Sequence, residues 1–84
     1  MPFEHLPLDK VRPAEGQPRK TFYQESLEEL AASIRERGVL EPIVVRPHPT
    51  MPGHYEIIMG ERRWRASRIA GVPTIPTRVA PAGP

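Results

Sequence analysis

The chain of 84 residues contains no cysteine, which excludes disulfide bonds, thiolate metal sites and catalysis by a thiol nucleophile. It also has no apolar run approaching the roughly 18 residues that a membrane-spanning helix needs. Its first residues lack the charged and hydrophobic regions of a signal peptide. These absences predict a soluble, cytoplasmic protein with no membrane partner.

Acidic residues are missing from the C-terminal part of the chain. Residues 62–84 carry five arginines and no Asp or Glu, whereas residues 1–61 carry seven Lys or Arg against ten acids. The two segments therefore have charges of +5 and −3, which sum to the net charge of +2. Such an asymmetry predicts an anionic partner for the basic segment. Surface arginines also increase solubility. The charge distribution alone therefore does not distinguish an anionic partner from a role in solubility.

The length of the chain fits one small domain. A chain of this size buries only roughly 60–65% of the surface that it exposes when unfolded, so a partner or a further domain would add stability. The last five residues, Ala-Pro-Ala-Gly-Pro, have the composition of a linker. We therefore expect a single domain over residues 1–79 and a flexible tail over residues 80–84.

Hydrophobic patterns and turn residues divide the chain into strands and helices. The predicted helices cover about residues 26–37 and 61–70, and the predicted strands cover about residues 5–12, 42–46, 54–59 and 74–79. The run 42–46 is apolar and β-branched, which favours the centre of a sheet, whereas Pro76 confines the last strand to an edge or a bulge. An α/β fold follows, with a small mixed β-sheet of about four strands and two main helices.

The first helix has clear signals at both ends. Ser26 and Glu29 have the spacing of a capping box, which predicts that the helix begins at Ser26. Gly38 suits the cap position after the last turn. Apolar residues recur between these ends at i, i+3, i+4 and i+7, namely Leu27, Leu30, Ala31 and Ile34. The helix is predicted to be structural.

Gly60 stands where a strand turns directly into the second helix. The unpaired N–H groups of the first helical turn, the positive end of the helix dipole and the side chains of Arg62 and Arg63 would converge there. This combination predicts an anion site, with phosphate as the best ligand. Arg62, Arg65 and Arg68 are spaced by three and are predicted to share one side of the helix, where they could contact phosphate or DNA.

Three stretches in order resemble the signature of the ParB N-terminal domain, the partition-protein family of bacterial chromosomes and plasmids within a ParB/sulfiredoxin-like superfamily. They are Gln-Pro-Arg at 17–19, Gly-Val-Leu-Glu-Pro-Ile-Val-Val-Arg at 38–46 and Gly-Glu-Arg-Arg-Trp-Arg-Ala at 60–66. The resemblance extends from about Leu6 to Val79. It implies the ParB N-terminal fold.

The resemblance also implies a binding site for CTP, and it leaves open whether Mg²⁺ accompanies the nucleotide. The residues that would cradle the triphosphate are Gly60, Glu61, Arg62 and Arg63. Those that would contact it from the loop after the first strand are Gln17 and Arg19. Those in the turn that would surround the base are Val39, Leu40, Pro42 and Ile43.

The role implied by the resemblance is DNA segregation, in which CTP favours closure of two protomers into a clamp on DNA. The implied partners are DNA in the full-length protein, a second copy of the chain and a ParA-type ATPase. Two departures matter: Glu41 stands where the family commonly has Gln, and the chain lacks the family's Glu-Asn-x-x-Arg-type motif and helix-turn-helix. We therefore expect no enzymatic activity from this chain alone, which is either an excised domain or a stand-alone relative.

Two other functions stay open. An enzyme of this superfamily, such as a free-serine kinase, needs a general base and metal ligands, and Glu41 and Glu61 are the candidates near the predicted site. Sulfiredoxin chemistry is excluded because it needs a thiol. A non-specific DNA-binding regulator would use the arginines of the second helix.

Histidine and tryptophan carry little functional signal in this sequence. His5, His48 and His54 lack the spacing of metal ligands. Trp64 shares its helix with Ile69 and Ala70, which favours a place in the core over a stacking platform for a base. We predict no metal site and no catalytic residue.

Overall fold

The structure, a computed structural model, describes residues 3–14 and 23–81, and these contain two α-helices and five strands. The helices are α1 (Gln24–Arg37) and α2 (Glu61–Ala70). The strands are β1 (Phe3–Pro7), β2 (Val11–Pro13), β3 (Ile43–Pro47), β4 (Tyr55–Met59) and β5 (Thr74–Val79). Neither helix is long and apolar enough to cross a membrane. The predicted α/β class with two main helices is confirmed.

The five strands form one mixed sheet in the order β1-β5-β3-β4-β2. The apolar strand β3 lies at its centre, as predicted, with Ile43 and Val45 fully buried. β4 returns antiparallel to β3 as the predicted hairpin partner. α2 then carries the chain across β3 to β5, which pairs parallel with β3. This crossover places the start of α2 beside the centre of the sheet.

Two predictions about the sheet were wrong. The single strand predicted over residues 5–12 is two strands, because a 3₁₀ turn at Leu8–Lys10 separates β1 from β2, and they lie on opposite edges. β5 is an inner strand although it contains Pro76. It pairs with β3 from Thr77 onward, so the missing N–H of Pro76 removes no bond from that ladder. The sheet consequently has five strands instead of about four.

The start of α1 also differs from the prediction. The helix begins at Gln24, and no side chain caps it. Its first turn closes through the Leu27 amide, which donates to the Tyr23 carbonyl at 3.0 Å. Ser26 lies inside the helix, where its hydroxyl accepts a hydrogen bond from Arg62 of α2. A tertiary contact therefore replaces the predicted capping box.

The core has two parts, one over the sheet and one between the helices. The buried residues over the sheet are Val11, Ile43, Val45, Ile57, Trp64 and Ile75. Those between the helices are Ala31, Ile34 and Ala66. Trp64 is 7% exposed, which confirms its predicted place in the core. Because two alanines form much of the helix interface, α1 and α2 approach each other closely.

The close helix packing can be tested with two adjacent alanines of α1. Ala31 is fully buried against α2, whereas Ala32 is exposed. Ala31→Leu should lower the free energy of unfolding by about 1–3 kcal/mol, because the added side chain has no room. Ala32→Leu adds the same atoms to the surface and should change it by less than about 0.5 kcal/mol. Urea denaturation followed by Trp64 fluorescence measures both; equal losses would contradict the packing.

Candidate functional site

The start of α2 exposes backbone donors. Gly60 precedes the helix in the left-handed conformation, with φ 101°, and no side chain caps it. The first helical hydrogen bond runs from the Trp64 amide to the Gly60 carbonyl at 3.1 Å. The amides of Glu61, Arg62 and Arg63 therefore have no acceptor within the helix. They form the positive end of the helix dipole, as the sequence predicts.

Gly60 is required at this position for two physical reasons. Its positive φ disfavours any residue with a side chain. A Cβ atom at Gly60 would also lie 2.5 Å from Cγ2 and 2.9 Å from Cβ of Ile43. The backbone at the helix start thus packs directly on the central strand β3.

A surface cavity of about 230 Å³ lies beside the start of α2, between α1 and the turn that follows α1. Its lining residues are Leu30, Ser33, Gly38, Val39, Leu40, Glu41, Arg62 and Arg63. Four predicted site residues therefore meet at this cavity: Val39, Leu40, Arg62 and Arg63. The predicted anion-binding arginines and the predicted base-side turn face the same space.

The other predicted site residues around Gly60 have different positions. The Pro42 carbonyl accepts a long hydrogen bond, 3.5 Å, from Nη1 of Arg63. The Ile43 side chain is fully buried in the core and lies under Gly60, so it shapes the site from below. Glu61 accepts a hydrogen bond from Nε of Arg65 at 2.9 Å. Gln17 and Arg19 lie outside the described residues, and their predicted contacts stay predictions.

The two arginines at the cavity have different partners. Arg62 donates to the hydroxyl of Ser26 on α1. Arg63 forms an ion pair with Glu41, with 3.0 Å between Nη2 and Oε2. The neutral hydroxyl of Ser26 thus positions Arg62. The carboxylate of Glu41 already accepts from one of the N–H donor groups of Arg63.

The predicted common side of Arg62, Arg65 and Arg68 is divided in the structure. A step of three residues falls about 60° short of a helical turn, so two steps rotate the side chain by about 120°. Arg65 and Arg68 line a second cavity, of about 380 Å³, beside Gln24 of α1. Arg68 also stacks on the Trp64 ring, 4.9 Å from its centroid.

α1 contributes to the site in a way that was not predicted from the sequence. Ser26, Leu30 and Ser33 contact Arg62 or line the cavity. Their spacing of four and then three residues places them on one face of a helix. That spacing was available as a signal, but Leu30 also belongs to the apolar stripe, which identified the helix as structural.

The histidines of the hairpin turn contribute to structure. Nδ1 of His48 accepts hydrogen bonds from the amides of Thr50 and Met51, both at 3.1 Å. Burial, together with neighbouring positive charges, lowers the pKa of His54, so its neutral form is favoured. Within residues 3–14 and 23–81, no group of three or more His, Asp or Glu residues could hold a metal ion.

A family model and curated proteins of the same family match this chain. A family model described as the ParB N-terminal domain matches residues 2–83. The chromosome-partitioning protein ParB of Caulobacter vibrioides is 52% identical over 73 residues, which are 87% of this chain and 24% of that protein. The chain spans about a quarter of the length of the curated relatives that it matches.

Two solved structures have nearly the same fold as this chain. Both are of the C-terminally truncated chromosome-partitioning protein ParB from Caulobacter crescentus. The complex with CTP-gamma-S has a TM-score of 0.90 at 46% identity, and the match covers 99% of this chain and 46% of that chain. The complex with the centromeric parS site has a TM-score of 0.89 at 49% identity and covers 93% and 40%.

The close approach at Gly60 gives a prediction with a matched control. Gly60→Ala should lower the free energy of unfolding by about 2–4 kcal/mol, since the strain of the positive φ adds to the overlap with Ile43. Gly71 caps the other end of α2 with φ 77° and has nothing within 4 Å of an added Cβ. Gly71→Ala should therefore cost only about 1–2 kcal/mol. Thermal denaturation distinguishes the two, and losses of equal size would refute the steric argument.

Proposed function

The chain belongs to the ParB N-terminal domain family, and from that premise we propose that it is the nucleotide-binding module of a DNA-partitioning protein, with CTP as its ligand. One observation carries the proposal: the uncapped start of α2, Arg62 and Arg63 border the same cavity as the turn at Val39 and Leu40. Donors suited to phosphate therefore lie next to a partly apolar surface suited to a base.

The phosphates fit the α2 side of the cavity. The free amides of Glu61, Arg62 and Arg63 can donate to phosphate oxygens, and the helix dipole favours negative charge there. The two guanidinium groups add charge-assisted hydrogen bonds, each worth roughly 1.5–3 kcal/mol. Gly60 allows the helix start to lie directly on the central strand, because a side chain there would overlap Ile43.

The base fits the turn after α1. Leu40 is 74% exposed, so its side chain has apolar surface that a ligand can cover. Its contact with a ligand would remove apolar surface from water, and Val39 and Pro42 would complete the wall. The preference for CTP over other nucleotides rests on the Caulobacter relative, whose structure contains CTP-gamma-S.

A resident metal ion does not fit the described residues. Mg²⁺ prefers an octahedral set of oxygen ligands, and residues 3–14 and 23–81 supply no cluster of three carboxylate or imidazole groups. An accompanying Mg²⁺ would therefore be held mainly by the nucleotide phosphates. We assign no hydrolytic step to this chain.

The role in partition concerns a longer protein than this chain. The Caulobacter relative has been solved both with CTP-gamma-S and with the parS site. By analogy, nucleotide bound to this domain would favour closure of two protomers on DNA, and a ParA-type ATPase would be a further partner. The domain's own task in that process is to convert the presence of CTP into a fixed arrangement of α1, α2 and the turn between α1 and β3.

The alternative functions have less support from the structure. Glu61 and Glu41, the candidate general bases of a serine kinase, are paired with Arg65 and Arg63. Direct DNA binding through α2 would draw on the arginines of this helix, of which Arg63 and Arg65 are already paired with carboxylates. A nucleotide-binding module uses the same residues without breaking most of these contacts.

Titration with nucleotides tests the proposal. CTP should shift the amide resonances of Gly60 to Arg63 and of Val39 and Leu40 in a two-dimensional NMR spectrum, and ATP and GTP should bind more weakly. Arg63→Ala should raise the Kd for CTP by at least about tenfold, because a charge-assisted hydrogen bond is lost.

Arg12→Ala is the matched control for Arg63→Ala. It removes the same group from a different cavity, on the β2 edge of the sheet, and should leave the Kd for CTP unchanged within about twofold. Absence of binding by every nucleotide, or an equal loss in both variants, would rule out the proposed site.

A further inference from the structure

The turn between α1 and β3 holds a carboxylate against the proposed phosphate site. Glu41 reaches Arg63 with 3.0 Å between Oε2 and Nη2, and both residues line the cavity. The Glu41 side chain is 74% exposed, whereas that of Arg63 is 36% exposed. Solvent therefore surrounds the carboxylate, and no packing holds it in place.

We propose that Glu41 competes with the nucleotide phosphates for Arg63 and thereby lowers the affinity of this domain for nucleoside triphosphates. The inference rests on the proposed nucleotide site and adds its control by a residue of the protein itself. A carboxylate and a phosphate present the same kind of oxygen acceptor to a guanidinium group. Only one of them can occupy a given edge of Arg63.

The competition is weak enough to be overcome by a ligand. Ion pairs between exposed side chains shift an equilibrium by a factor of only about 1.5–5, so a triphosphate can displace Glu41. The displaced carboxylate nevertheless remains at the rim of the cavity, where it repels the bound phosphates. This second effect grows with the charge of the ligand.

Arg62 shows that the effect is specific to one arginine. Its partner is the neutral hydroxyl of Ser26, which does not repel an anion and can still hold the side chain in place. Arg62 therefore remains available to phosphate, whereas Arg63 becomes available only when Glu41 moves. Of the two arginines that line this cavity, Arg62 is open to phosphate and Arg63 is conditionally blocked.

A charge series of nucleotides tests the inference in the 84-residue chain. Kd values for CMP, CDP and CTP are measured by NMR titration without divalent cations, for the wild type, Glu41→Gln and Glu25→Gln. Glu41→Gln should bind CTP roughly 3–10 times more tightly, with a smaller gain for CDP and the smallest for CMP. The gain for CTP should shrink at high salt.

Glu25→Gln is the control for the change in net charge. Glu25 lies on α1 and lines a separate surface with Glu28, Glu29 and Ala32, so its substitution should leave all three Kd values unchanged. A gain for Glu25→Gln as large as that for Glu41→Gln would reduce the effect to net charge and overturn the inference.

The outcomes separate this inference from the proposed function. If the wild type binds CTP and Glu41→Gln binds it no more tightly, Glu41 does not compete and the inference is overturned. A gain of equal size for CMP and CTP would indicate a contact with the nucleoside and would also overturn it. If neither chain binds any of the three ligands, the nucleotide site itself is refuted.

Discussion

The contact between the Gly60 backbone and the Ile43 side chain is the constraint on which the candidate site depends. An added Cβ at Gly60 would lie 2.5 Å from Ile43, so the first turn of α2 sits directly against the central strand. Because β4 pairs with that strand and leads straight into α2, the height of the helix start above the sheet is determined. The distances from Arg62 to α1 and from Arg63 to the turn at Glu41 follow from that placement.

Two of the four arginines of α2 are paired with acids within the domain. The asymmetry of +5 against −3 along the chain suggests a strongly basic helix. In the fold, acids of the first segment return to these arginines: Glu41 pairs with Arg63, and Glu61 pairs with Arg65. Arg62 bonds to a neutral hydroxyl at the helix start, and Arg68 stacks on Trp64, so positive charge remains beside the cavity at the start of α2.

The errors in the predicted fold share one physical origin. Ser26 and Glu29 have the spacing of a capping box, but the hydroxyl of Ser26 bonds to Arg62, a partner that local sequence does not contain. Pro76 excludes hydrogen bonding at one backbone position, but the ladder with β3 begins only at the next residue. In both cases the local rule holds, and a contact made by a distant element decides which of the allowed structures forms.

Local sequence by itself determined the helices, the apolar centre of the sheet and the glycine at the helix start, because these depend on residues close together along the chain, whereas the family resemblance rests on three motifs in order. The helix start after Gly60 also predicted Arg62 and Arg63 as site residues, and the family resemblance implied Val39 and Leu40. Only the tertiary structure decided that these four border one cavity, that α1 supplies its third wall, and that Glu41 occupies Arg63. Residues 41 and 63 are far apart along the chain, and the antiparallel β3–β4 hairpin, which pairs Val44 with Met59, brings them within hydrogen-bonding distance.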